Sequence, residues 1–274
     1  KSNVRIRLDE WRHGRLSSSK WPQSDTIRHP EVRRPTSADL YLGYGPITLR
    51  RGLKSPALKV NAAIQAGEEA TCSIAYPDTH AFFIEQALSL MDQFGTVGGR
   101  SRNGWGSYSL TPSQDGCALE KWLPLRPWRE AMRLDWPHAL GSDNNGALIW
   151  QTRHFDDWKS LLKDLAIIKI GLRTQFVYNT GKNASGAEAR HWLSYPVTNQ
   201  SVKGWGGKAR LPNTLRFKVR PVLSDPKKIV GIIFQVPCLP PAKFNPDNRA
   251  IEDVWQRVHA FLDEPASNLT RVTA

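Results

Sequence analysis

The densest concentration of chemically capable residues is the run 94–108: Phe94, Gly95, Thr96, Val97, Gly98, Gly99, Arg100, Ser101, Arg102, Asn103, Gly104, Trp105, Gly106, Ser107 and Tyr108. Glycine has no Cβ, so backbone N–H groups can turn toward an anion and a ligand can approach the chain closely. Arg100 and Arg102 add forked, permanently charged donors suited to phosphate oxygens. Trp105 and Tyr108 offer flat faces for stacking on a base. Gly95 and Gly106 read as turn-makers, and Gly98, Gly99, Arg100, Ser101, Arg102, Asn103, Gly104 and Trp105 as the ligand-facing set. The segment matches neither GxGxxG nor GxxxxGK[ST], so it is not one of the nucleotide loops those patterns define. Its structural alternative is a helix-ending turn whose glycines pack against a sheet.

Three further groups have the same character. Residues 201–210 mix glycine with Lys203, Lys208 and Arg210 around Trp205; they read either as phosphate contacts beside a stacking platform or as a surface hairpin. Arg216, Lys218 and Arg220 alternate along a predicted strand and so share one face, which is either an anion-contacting or a solvated face. Arg33 and Arg34 sit between prolines in a basic arm, and Tyr44 belongs to the turn-rich Tyr41-Leu42-Gly43-Tyr44-Gly45-Pro46.

Charge points the same way. The 274 residues carry 38 Lys and Arg against 25 Asp and Glu, a net charge of +13 and a pI near 9.9. Residues 1–60 hold 13 of the basic residues and only five acidic ones. Such a field attracts polyanions, of which nucleic acid is the commonest. Mean hydropathy is −0.47, and no apolar run approaches the ~18 residues of a membrane span. Three cysteines without short spacing form neither a disulfide framework nor a zinc pattern; with no signal peptide visible, a cytoplasmic protein with no membrane partner is expected.

Catalytic constellations are weak. Seven histidines are scattered without HxxxH or HxH spacing, and no metal site or cofactor is called for. His13, His29 and His191 are the candidates for the competing reading, a metal-independent RNA-processing nuclease with a His general acid or base. Asp135, Asp143, Asp156 and Asp157 could suggest metal-assisted hydrolysis, but Asp156-Asp157 more simply begins a helix.

These groups must be positioned by elements legible from periodicity. Strands are expected at 4–8, 69–76, 105–110, 147–152, 214–223 and 228–237, the last two joined by a hairpin turn at 224–227. Helices are expected over 79–94, within 154–178 and over 249–262. In the middle helix Trp158, Leu161, Leu162, Leu165, Ile168 and Leu172 form the apolar side; Lys159, Lys163, Lys169 and Arg173 read as a solvated face. The succession implies an α+β protein in three parts. Residues 1–39 read as a basic irregular arm, 40–120 as a unit carrying the glycine-rich loop, and 121–274 as a second α+β unit packed on the first.

The run 94–108, with Tyr41-Leu42-Gly43-Tyr44-Gly45-Pro46 and Ala62-Ala63-Ile64-Gln65-Ala66-Gly67 before it, resembles the RAMP superfamily of CRISPR effector complexes. Its form, Phe-Gly-x-x-Gly-x-Arg-Ser-Arg-x-Gly-x-Gly-Ser, is most similar to the first-numbered RAMP subunits of the Cmr (type III-B) complex. Thr96-Val97 and Asn103 depart from the family pattern, which has a small glycine-rich pair and a further basic residue there. The family's N-terminal Arg-Gly turn and Arg/Trp-rich helix are not found. The resemblance implies a ferredoxin-like (RRM-like, split β-α-β) RAMP fold with insertions, incomplete at the N-terminus. It also implies a non-catalytic RNA-binding subunit near the 3′ end of the guide RNA. Its partners would be guide (CRISPR) RNA, target RNA and other RAMP subunits of a multi-protein antiviral ribonucleoprotein.

Overall fold

A computed structural model describes residues 3–10, 14–17, 25–49, 56–59, 63–113, 122–206, 208–211 and 213–272. The protein is a mixed α+β structure of small sheets and five α-helices among those residues. The first half contains β1 (Arg5–Leu8), β2 (Thr26–Ile27), β3 (Thr36–Ser37), α1 (Ala38–Gly43), β4 (Ile47–Thr48), β5 (Ala57–Leu58), β6 (Cys72–Ala75) and α2 (Ala81–Phe94). These strands pair only two by two, β1 with β6, β2 with β3 and β4 with β5, all antiparallel. Strand β1 lies within the strand expected at 4–8 and finds its partner in β6, more than 60 residues away, while the β2–β3 pair adds regular structure to an arm otherwise read as irregular.

The second half contains β7 (Leu125–Pro127), α3 (Trp128–Ala131), β8 (Leu140–Asp143), β9 (Gly146–Ala147), β10 (Ile149–Phe155), α4 (Trp158–Thr174), β11 (Leu215–Val222), β12 (Asp225–Gln235), α5 (Asn248–Asp263) and β13 (Thr270–Arg271). β7, β8 and β9 form a small sheet. The largest sheet has the order β11-β12-β10-β13, every neighbour antiparallel. Helix α4 links β10 to β11 and α5 links β12 to β13.

The hairpin turn is tighter than expected. Val222 pairs with Asp225, so Leu223 and Ser224 alone make the turn, and residues 225–227 already belong to β12. Along β12 alternate residues serve two cores, as a two-residue period requires. Ile233 joins the large cluster with Trp150, Leu165, Phe217, Trp255 and Val258, while Ile232 and Phe234 join a smaller one with Ile149, Val230 and Leu140.

Helix α4 starts where its sequence specifies. The Asp157 carboxylate accepts from Ser160 N at 2.9 Å and from Ser160 Oγ at 2.7 Å, and those bonds hold it below the usual carboxylate range. Gly231 lets the helix lie close on the sheet, since a Cβ there would stand 2.9 Å from Leu165 Cδ2 and 3.1 Å from Leu161 Cδ1.

Two expectations fail locally. Tyr41, Leu42 and Gly43 are not turn residues but the end of α1, which buries Leu42 completely. Residues 105–110 are no strand: Trp105 and Gly106 lie in turns, and within this segment the pairing is a single bridge between Thr96 and Ser107. Three positive-φ residues, Arg100, Gly104 and Gly106, fold the chain back before a ladder can extend.

Candidate functional site

The glycine-rich loop leaves α2 at Gly95 and closes on itself. Gly106, at φ +65°, lies so near the opposite arm that a Cβ would stand 1.8 Å from Val97 O, and Val97 N donates to Gly106 O at 2.9 Å. Within it, Asn103 N donates to Arg100 O at 2.8 Å and Gly104 N to Ser101 O at 3.3 Å. Arg100 itself adopts φ +61°, a left-handed conformation that costs a side-chain-bearing residue roughly 1–2 kcal/mol.

The loop also meets the outer edge of the large sheet. Phe217 N, on edge strand β11, donates to Arg102 O at 3.0 Å, and Val219 N donates to Ser107 Oγ at 2.9 Å. Covering an edge in this way satisfies backbone groups that would otherwise pair with another chain.

This docking divides the residues singled out from sequence. Asn103 and Gly104 are buried and Trp105 is half-buried, edge-to-face with Trp158 at 5.5 Å between ring centroids. The Asn103 amide is committed inward, donating from Nδ2 to Leu42 O at 2.6 Å and accepting from Lys169 Nζ. These three pack inward and serve the loop as structural members. Gly98, Gly99, Arg100 and Arg102 are exposed and Ser101 is half-exposed. Gly99 packs on Pro46, and Arg100 Nε donates to the carbonyl of the exposed Tyr44.

The solvated-face reading of α4 is corrected in part. Lys159 is exposed and Lys163 pairs with Asp25 at 3.0 Å, but Lys169 and Arg173 turn inward. Burial first, then Arg173 and Arg100, holds the Lys169 ammonium well below the ordinary lysine range. Arg173 Nη1 donates to Ser194 Oγ at 3.1 Å. One signal for this inward turn was present: Leu161, Leu165, Lys169 and Arg173 follow one another at the four-residue step, so they share a stripe.

Beyond Arg173 lies a cluster that sequence patterns did not single out as a unit. Arg190 is 4% exposed, pairs with Glu31, and stands 5.3 Å above the Tyr178 ring. His191 is fully buried, 4.8 Å from Tyr178 and 6.0 Å from Trp205 between ring centroids. Burial pushes the Tyr178 hydroxyl up to about 12 against the pull of Arg190 and Arg173. Burial pushes His191 down, opposed by Glu188.

Arg33 and Arg34 are exposed on the turn after Glu31, and Lys203, Lys208 and Arg210 are exposed around Trp205. Trp205 itself is half-buried among Trp192, Tyr195 and Phe244, with centroids 5.0–5.4 Å away for Tyr195 and Trp192 and 4.9 Å for Phe244. A shallow depression of about 280 Å³ beside it is flanked by Lys208 and Lys243 over the Trp205 and Phe244 rings.

These contacts join the three basic segments through α4 and residues 190–194. Lys169 reaches the glycine loop, Arg173 reaches Ser194, Arg190 reaches the arm through Glu31, and His191 touches Trp205 of the 201–210 segment. The row on β11 does not join them. Lys218 is buried on the opposite side of the sheet, donating to Met91 O at 3.2 Å and to Asp92 O at the C-terminal end of α2. It is neither solvated nor placed to meet a large anion; burial lowers it to about 8, opposed by Asp92.

Among the histidines proposed as acid–base groups, His29 is buried, accepts from Glu31 N at 3.2 Å, and is lowered by burial. His13 lies outside the described residues. No group of three or more His, Cys, Asp or Glu able to hold a metal occurs among the described residues, and no described helix is long and apolar enough to cross a membrane. Comparison of the chain with protein-family models, curated proteins and solved structures found no match.

Proposed function

We propose that the chain is a non-catalytic RNA-binding subunit of a cytoplasmic CRISPR type III-B (Cmr) ribonucleoprotein, contacting guide or target RNA beside other RAMP subunits. The observation that carries this reading is the linkage of three basic segments, far apart in sequence, through α4 and residues 190–194. Arg100 and Arg102, Arg33 and Arg34, and Lys203, Lys208 and Arg210 are linked through Lys169, Arg173, Arg190 and His191. Exposed guanidinium and ammonium groups at intervals over a rigid scaffold suit a phosphate backbone, where contacts add affinity with little dependence on sequence. The depression beside Trp205 carries the Lys208 and Lys243 ammonium groups, which suit phosphate oxygens.

The resemblance of residues 41–46, 62–67 and 94–108 to RAMP proteins supplies the ribonucleoprotein context. The order β11-β12-β10-β13, reached by a β-α-β-β-α-β succession, supports a ferredoxin-like assignment for residues 149–271. The glycine-rich loop then serves that unit from outside, across its β11 edge.

The test is RNA binding measured against salt. Changing Arg100 and Arg102 together to Ala is expected to weaken binding roughly tenfold and to reduce the salt slope by about 1–2. Unchanged affinity and slope would sink the proposal. Incubation with labelled repeat RNA in EDTA tests the nuclease alternative: specific cleavage lost on a single His→Ala change would replace the binding reading with a catalytic one.

A further inference from the structure

We propose that Tyr178, Arg190 and His191, with Arg173 behind them, form a phosphate pocket in which the Glu31 carboxylate is a resident anion that a ligand phosphate displaces. The inference rests on the RNA-binding reading for the source of that phosphate, and names where one phosphate of the chain would sit.

Three observations converge. First, the pocket holds unspent donors. Arg190 Nε, Tyr178 Oη and His191 Nε2 are all buried without a hydrogen-bond partner, and Arg190 and His191 are more than nine-tenths buried. His191 Nδ1 accepts from Glu188 N at 3.0 Å, which leaves the ring proton on Nε2 and makes that atom a donor. Buried donors without acceptors are rare enough to call for an explanation, and an acceptor-only ligand such as phosphate answers three at once.

Second, the groups are mutually close. Arg190 lies 5.3 Å over the Tyr178 ring, and His191 lies 4.8 Å from that ring. A guanidinium presents two edges to oxyanions, and here one Nη meets Glu31 while the Nε atom remains unpaired.

Third, the resident anion is of the kind that can leave. Among the described residues Glu31 is the one carboxylate within ion-pair distance of either Arg173 or Arg190. Its side chain is 42% exposed although that of Arg190 is 5% exposed, and it belongs to the short surface turn that also carries Arg33 and Arg34. The other nearby carboxylate, Glu188, is occupied by the amides of Asn179 and Thr180 at 2.7 and 3.1 Å. Rotation of Glu31 toward solvent opens the Arg190 guanidinium to a doubly or singly charged tetrahedral anion, with Tyr178 Oη and His191 Nε2 as the further donors of the same cluster.

The experiment titrates the full chain with inorganic phosphate against chloride at matched ionic strength, read by calorimetry and thermal melting. Glu31→Gln removes the competing charge and is expected to bind phosphate roughly fivefold more tightly than the parent, the factor of one ordinary hydrogen bond. Adding Tyr178→Phe or His191→Gln to Glu31→Gln is expected to abolish that gain, so a folding failure in one double variant leaves the other to decide. Equal phosphate affinity in parent and Glu31→Gln, or a gain that survives both second changes, overturns the pocket. Because this titration contains no RNA, it separates from the loop test. Failure here with intact effects of Arg100 and Arg102 on RNA removes the pocket alone, and the reverse removes the RNA reading alone.

Discussion

Helices α2 and α4 have comparable apolar periodicity, yet they use it in opposite ways. Helix α4 buries Leu161, Leu162, Leu165, Ile168 and Leu172 between the sheet and α1. Helix α2 buries Ser89 and Gln93, and leaves Phe82, Phe83 and Met91 exposed. The first is held by apolar area; the second is held at its C-terminal end by polar groups. Gln93 Nε2 donates to Ser89 Oγ at 2.9 Å, Asp92 Oδ1 accepts from Leu110 N at 2.8 Å, and Lys218 takes the terminal carbonyls, while Phe94 packs on Phe234 at 4.8 Å. Periodicity reports that a helix has two faces, and the neighbours decide which one is covered.

The largest expected effect that would break this contrast is in α4. Leu165 is fully buried beside Gly231 on the sheet and Gly104 in the loop, so Leu165→Ala is expected to cost about 2–5 kcal/mol in denaturant unfolding. A cost below ~1 kcal/mol would mean that α4 is not the apolar anchor described.

Next comes Lys218, whose ammonium ties α2 to β11. Its folded value of about 8 lies below the ordinary 10.5, so the native state holds fewer protons than the unfolded chain between those values. Its contribution is therefore fully present above about 10.5 and lost as the pH falls toward about 8. The stability of the parent minus that of Lys218→Met should rise across that window, by about 3 kcal/mol at most. A flat difference would show that Lys218 is not buried against α2.

Asn103 sharpens the comparison where loop and α4 meet. Asn103→Ala removes the donor to Leu42 O and leaves Lys169 without its amide acceptor, for an expected loss of about 2 kcal/mol in unfolding experiments. RNA affinity per folded molecule should change less than in the Arg100 and Arg102 double variant. If it falls further, Asn103 faces the ligand after all.

The smallest effect belongs to the exposed side of α2. Phe82→Ser and Phe83→Ser should each stay within about 0.5 kcal/mol of the parent in melting experiments, since both rings are about two-thirds exposed. Larger losses would show that this face is covered in the folded chain.

Much of the architecture was legible because local patterns were consistent with it. The helix over 79–94, the long helix after Asp157 and the last helix all appear close to their expected limits, as do the two long strands of the hairpin. The candidate site was legible only in outline. Gly98, Gly99, Arg100 and Arg102 are exposed, but Asn103, Gly104 and Trp105 are turned inward by the Lys169 and Leu42 contacts, which are more than 60 residues away in sequence. The pocket of Tyr178, Arg190 and His191 was not legible at all, because its counter-ion comes from residue 31.

The sequence by itself determined the α+β character, the starting points of the three long helices and the excess of positive charge. Each depends on spacing or composition within a few turns of chain. Tertiary structure decided which cations reach solvent. Lys169, Lys218 and Arg190 look like any surface cation in the sequence; Lys218 and Arg190 are buried and Lys169 is turned inward because distant carbonyls, a carboxylate and an amide meet them there. Burying such charges is tolerable only with those partners, and the partners are assembled only by the fold.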